Sequence, residues 1–215
     1  MAKSPSLLSK VPFGSYLVYS PRGQSTVSKN SRDLCYKIKQ DRAGVITEVV
    51  RRLAQDFAGT ELDVVLGPDV MLVPAPRSTP LLEDALWPAA RIADELHAAR
   101  LGRQPRPIVT RAVPVAKSAF AARGGRPSPQ QHLDSLRLES RIPLSGRVSV
   151  IDDVITRGAT MLAVASLITR AYPGTTVAAF ALVRTMSFVS DIKRIRAPVV
   201  GAVRVGLLGE PAREP

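Results

Sequence analysis

The chain has 215 residues, enough for one generous domain and too few for two average ones; 45% hydrophobic and 22% charged residues exclude a wholly disordered chain. No apolar run approaches the roughly 20 residues that span a bilayer, and MAKSPSLLSK holds no secretory h-region, so a cytoplasmic protein without membrane contact is expected. A net charge of +12 by itself points to an anionic partner: nucleic acid, a membrane surface or a polyphosphate.

Taken in chain order, Gly14 to Ser20 reads as a short strand followed by a polar, basic turn region. Residues 1–52 carry ten Lys/Arg against three acids, a +7 block in which Tyr16, Tyr19 and Tyr36 are interleaved. Cys35, the single cysteine, excludes an internal disulfide and is expected as a small buried hydrophobe. Asp41 to Phe57 places Val45, Ile46, Val49, Val50, Leu53 and Phe57 at helical spacing. Asp69 to Val73 reads as a short buried strand ending at Pro74, and Leu82 to Arg100 as a helix interrupted by Pro88. Trp87 and His97 read as residues of that helix, without a function.

Residues 100–147 form a second basic block, ten Lys/Arg against two acids. Ile108 to Ala112 is a candidate strand, and a long irregular region follows to about Leu144, with His132 expected in a structural or exposed role. Arg147 to Ile151 turns apolar as a parallel strand buried on both faces does. Gly158 to Ala171 is a helix stopped by Pro173 and Gly174, and Thr176 to Val183 and Pro198 to Val205 are apolar strands. Strand, helix, strand at this spacing makes a βαβ unit, whose ligand lies beyond the carboxyl ends of the strands.

The segment VSVIDDVITRGAT, Val148 to Thr160, joins these elements. A strand carries Asp152 and Asp153 to the sheet edge, and a turn at Gly158 offers backbone N–H groups beside the positive end of a helix. Main-chain amides with the Thr156 and Thr160 hydroxyls suit a phosphate monoester. Two acids suit a vicinal diol or a hydrated divalent cation. A phosphate, a diol and a metal together describe a ribose phosphate. The same residues also fit a plainer role, with the acids capping the next helix.

At this point the sequence resembles a family. Val148 to Thr160 fills every defined position of the signature with which type I phosphoribosyltransferases bind 5-phosphoribosyl-1-pyrophosphate (PRPP). The order of elements over about Val70 to Thr185 resembles the ComF-like phosphoribosyltransferases. Arg157 fills a variable place and, with Gly158, is similar to the arginine–glycine pair of glutamine amidophosphoribosyltransferases. The chain lacks that enzyme's N-terminal nucleophilic cysteine and has no room for its glutaminase domain. VPAPRS, Val73 to Ser78, is similar to the family's pyrophosphate loop, which implies a leaving-group site at Ala75, Pro76, Arg77 and Ser78. The family's basic flexible loop would map to the stretch from Arg111 through Lys117, Arg123 and Arg126 to His132.

The resemblance implies an α/β, type I phosphoribosyltransferase fold: a mainly parallel central sheet flanked by helices, with a small N-terminal or hood appendage. It divides the chain into a basic extension or hood (residues 1–45), a phosphoribosyltransferase-like domain (46–208) and a C-terminal tail (209–215). It implies Mg²⁺ as cofactor, PRPP bound by Asp152, Asp153, Thr156, Arg157, Gly158, Ala159 and Thr160, and catalytic roles for Asp152, Asp153, Arg77 and Lys117. The metal would meet Asp152 and Asp153 indirectly, through water and ribose hydroxyls. The phosphoribosyl group would pass to an unidentified acceptor, usually a nitrogen; many relatives are dimers, which leaves a homodimer open without the sequence fixing it. Thr156 stands where purine-salvage members usually have Asp, which argues against a hypoxanthine–guanine assignment. A different class remains open: a catalytically silent, PRPP-sensing regulator that binds nucleic acid through its basic blocks. No dedicated nucleic-acid reader motif supports it.

Overall fold

The computed structural model describes residues 6–42, 44–80, 85–115, 127–139, 144–206 and 209–214. The elements are β1 (Lys10–Tyr19), α1 (Thr26–Lys39), α2 (Val45–Asp56), β2 (Met71–Pro74), α3 (Pro88–Ala98), β3 (Val109–Arg111), α4 (Pro129–Asp134), β4 (Leu136–Leu138), β5 (Gly146–Ile155), α5 (Ala159–Ala171), β6 (Thr175–Thr185), β7 (Arg196–Val205) and β8 (Pro211–Glu214). Six strands form one sheet in the order β2-β5-β6-β1-β7-β8, while β3 and β4 pair separately. β2, β5, β6 and β1 run parallel, and β7 and β8 continue the sheet antiparallel. The expected α/β architecture with a mainly parallel sheet is therefore present.

Two cores sandwich the sheet, and the strands feed both by alternation. Along β6, Val177, Ala179 and Ala181 enter the core under α5. Ala178, Phe180 and Leu182, between them, enter the core under α1, α2 and α3. β1 does the same with Val11 and Phe13 on one side and Tyr16 and Leu17 on the other; a register shift against β7 at Ser15/Leu17 breaks its strict alternation.

Several expectations need correction. The segment expected as an N-terminal extension holds a strand of the domain itself: β1 lies inside the sheet, bonded to β6 and β7. Residues 209–214 likewise are part of the sheet, since β8 is its edge strand. The basic turn region after β1 contains α1. Its apolar periodicity is masked because its buried face carries Ser28 and Ser31 beside Cys35 and Ile38. Those serines are satisfied internally: Ser28 donates to Asp191 at 2.9 Å, and Ser31 accepts from the Ser20 amide at 3.2 Å. Cys35 is buried and free, as expected, and burial pushes its thiol up to about 11.

Pro88 opens α3 rather than interrupting it, because the first helical position needs no N–H donor. The stretch read as irregular holds α4, begun by a Ser128–Gln131 capping box, and β4. Among the described residues no helix is long and apolar enough to cross a membrane.

Candidate functional site

β5 and β2 are parallel neighbours, with Pro74 opposite Ile151, so the VPAPRS segment and the acid pair leave the sheet side by side at its carboxyl edge. The Ala75 amide extends the ladder by one bond, donating to the Ile151 carbonyl at 2.7 Å. From Asp152 onward, the end of β5 and the start of α5 wall a cleft together with Pro127, Glu210 and Pro211. Asp152, Thr156, Arg157, Gly158, Ala159 and Thr160, all singled out in the sequence, line this one cleft.

Gly158 makes the turn possible. Its φ is +89°, a left-handed conformation, and a Cβ there would lie 2.6 Å from Val203 Cγ2 on β7. It caps α5 without any side-chain bond, and the first intrahelical bond runs from Leu162 to the Gly158 carbonyl at 2.9 Å. The amides of Ala159, Thr160 and Met161 therefore precede the helical ladder and stand at its positive end. Thr156 is braced from β6, its hydroxyl 3.4 Å from that of Thr185.

The two acids diverge. Successive strand residues point to opposite faces. Asp152 lines the cleft, whereas Asp153 turns toward α1, where Lys39 Nζ lies 3.1 Å from its Oδ2. Neither caps α5: Asp152 accepts from the Asp153 amide at 2.9 Å and Asp153 from the Val154 amide at 2.8 Å. Desolvation, then the neighbouring charge of Asp153, pushes the Asp152 carboxyl well above the ordinary range. For Lys39 burial works against the charge, but the charge of Asp153 and its hydrogen bond outweigh it and raise the ammonium's pKa.

Lys39 and Glu210 have no local sequence signal, and Arg111 and His132 have none beyond their places at the two ends of the expected basic loop. Lys39 comes from 114 positions before Asp153. Glu210, in the segment read as a tail, pairs with Arg157 at 3.0 Å and puts a carboxylate against the phosphate-type turn. Arg111 is buried, with its Nε donating to the Arg77 carbonyl at 2.9 Å. Burial pushes Arg111 down to about 10, an effect opposed by the charge of Asp152. His132 is buried beside it, its imidazole pushed down to about 4 by desolvation and then by Arg111. Of the interleaved tyrosines only Tyr36 is exposed; Tyr16 is buried and donates to Asp56 at 2.6 Å. Lys117, Arg123 and Arg126 lie outside the described residues.

Among the described residues no three His, Cys, Asp or Glu side chains cluster to hold a metal. Asp152, the one acid of the pair that lines the cleft, suits a hydrated Mg²⁺, which keeps several waters and takes one or two carboxylates along with phosphate oxygens. No family model matches the chain, nor does any curated protein. Among solved structures, an HPRT in which an invariant aspartic acid is replaced by glutamic acid is similar over 77% of this chain and 91% of its own, at 15% identity and a TM-score of 0.34.

Proposed function

We propose that the chain is a phosphoribosyltransferase that binds PRPP with Mg²⁺ and passes the phosphoribosyl group to a nitrogen acceptor. The observation that carries this reading is the Thr156–Thr160 turn. A left-handed Gly158 closes it, unladdered amides point from it, and Asp152 lies in the same cleft. The 5-phosphate binds the amides of 158–161 with the hydroxyls of Thr156 and Thr160. Asp152 accepts from the ribose hydroxyls, while Asp153, anchored by Lys39, holds the strand end in place. The pyrophosphate lies along Ala75 to Ser78, on the adjoining strand end.

In the transfer, the C1–O bond to pyrophosphate breaks with its electron pair leaving on oxygen. The acceptor nitrogen's lone pair forms the new C1–N bond, and its proton passes to solvent. This chain's part is positioning and charge neutralisation at the leaving group. Mg²⁺, which Asp152 would hold through water, would supply charge neutralisation of the pyrophosphate. Isothermal titration with Mg²⁺–PRPP tests the reading: micromolar binding lost in Asp152→Asn, Asp153→Asn supports it, and a folded wild type that binds nothing overturns it.

A second reading, a PRPP-sensing nucleic-acid binder, draws on one exposed face. Lys29, Tyr36, Lys37 and Arg42 are exposed there, with Arg42 stacked 5.1 Å over the Tyr36 ring. Salt-dependent, PRPP-sensitive retention of single-stranded DNA or RNA, lost in Tyr36→Ala, would favour it.

A further inference from the structure

Three carbonyls of the VPAPRS loop are held by other parts of the chain. Ala75 O accepts from the Trp87 indole at 2.8 Å, Arg77 O from Arg111 Nε at 2.9 Å, and Ser78 O from the Val115 amide at 2.8 Å. A trans peptide unit points its C=O and N–H in opposite directions, and no cis bond occurs among the described residues. Drawing the Arg77 and Ser78 carbonyls inward therefore turns the N–H groups of Ser78 and Thr79 outward. The unit between Ala75 and Pro76 offers no donor, so Trp87 anchors only the start of the loop.

Arg111 is unusual among the residues that hold this loop. It is 4% exposed, yet none of the ion pairs among the described residues includes it. Its other partners are neutral: the His132 carbonyl at 3.4 Å and the Ser135 hydroxyl, which itself donates to His132 O. Burying a guanidinium without a carboxylate in direct contact is costly, and a site that needs only a staple between β3 and α4 is served by a neutral donor. A fixed cation behind two outward amides is instead complementary to an anion in front of them. The nearby imidazole of His132 has both ring nitrogens unpartnered among the described residues and gives Arg111 no counter-charge; the opposite charge that acts on Arg111 is that of Asp152, in the cleft.

We infer that Arg111 is the positioning residue of the pyrophosphate half of the site: it holds the Arg77 carbonyl inward, presents the Ser78 and Thr79 amides, and places a buried positive charge beneath the leaving group. This rests on the phosphoribosyltransferase reading and adds to it a residue remote from the signature.

Two probes separate the halves of the site. Isothermal titrations with Mg²⁺–pyrophosphate and with ribose 5-phosphate are run on wild type, Arg111→Met, Arg111→Lys and Trp87→Phe. Arg111→Met should lose roughly tenfold or more in pyrophosphate affinity, the size of one charge-assisted contact, while ribose 5-phosphate stays within about twofold. Arg111→Lys should recover part of that loss, and Trp87→Phe, which keeps the ring and loses the donor, should weaken pyrophosphate alone by a smaller factor. If Arg111→Met fails to fold, the Lys and Phe variants carry the same comparison. Equal weakening of both ligands, or no weakening in folded variants, overturns the inference and leaves the phosphoribosyltransferase reading standing. A wild type that binds ribose 5-phosphate but not pyrophosphate does the same. A wild type that binds neither overturns both.

Discussion

Lys39 Nζ lies 3.1 Å from Asp153 Oδ2 and joins the last turn of α1 to the second acid of the signature. The pair is partly exposed, so its worth to global stability is about 1 kcal/mol or less. Its worth to ligand binding is larger in consequence, because it fixes the strand end from which Asp152 reaches the cleft. Lys39→Met should weaken PRPP binding roughly fivefold, as the loss of a 1 kcal/mol contact does, with little change in melting temperature. Lys39→Arg should retain most of the affinity. Equal PRPP affinity in Lys39→Met and wild type would count against a positioning role for the pair.

Gly158 meets two constraints at once, the left-handed φ and the contact with Val203. Gly158→Ala should destabilise the fold by about 1–3 kcal/mol through backbone strain and displaced packing. It should also abolish ribose 5-phosphate binding. Adding Val203→Ala relieves the clash but not the strain, so the double variant should regain part of its stability and little of its binding. Urea unfolding with titration separates the two effects. Full recovery of binding in the double variant would show that crowding alone sets the turn.

Glu210 faces the turn that is proposed to hold a phosphate, and its partner Arg157 is more than half exposed. Glu210→Ala should leave stability within about 0.5 kcal/mol of wild type, as exposed ion pairs do. It should raise the affinity for ribose 5-phosphate several-fold, because a carboxylate no longer competes with the ligand for Arg157. Weaker binding in Glu210→Ala would instead assign Glu210 a supporting contact.

Buried His132 couples stability to pH. Its folded-state value of about 4 lies below the ordinary 6.5, so the unfolded chain binds the extra proton. The neutral imidazole's contribution is complete above about 6.5 and is lost as pH falls toward 4. At full extent it is on the order of 3 kcal/mol. Urea midpoints should therefore fall between pH 7 and pH 5, and His132→Leu should flatten that slope. An unchanged slope in the variant would place the pH dependence elsewhere.

What the sequence determined by itself is what short-range pattern encodes. Val177 to Val183 is apolar at every position, and Val148 to Ile151 at every position but Ser149, because both runs face two cores, and that was enough to read β5, α5 and β6 as a βαβ unit. The turn through Gly158 was legible because its chemistry lies in five consecutive residues. Tertiary structure decided what depends on distant partners. β1 reads as a lone strand until β6 and β7 bracket it, since nothing local says whether both of its edges are paired. α1 stays hidden because the bonds that satisfy Ser28 and Ser31 include contacts from other segments, Asp191 to Ser28 and Ser20 to Ser31. Lys39, Arg111 and Glu210 reach the site across 114, 34 and 53 positions to Asp153, Arg77 and Arg157. A charge's neighbours at such separations are set by packing, which brings distant segments to one end of one sheet.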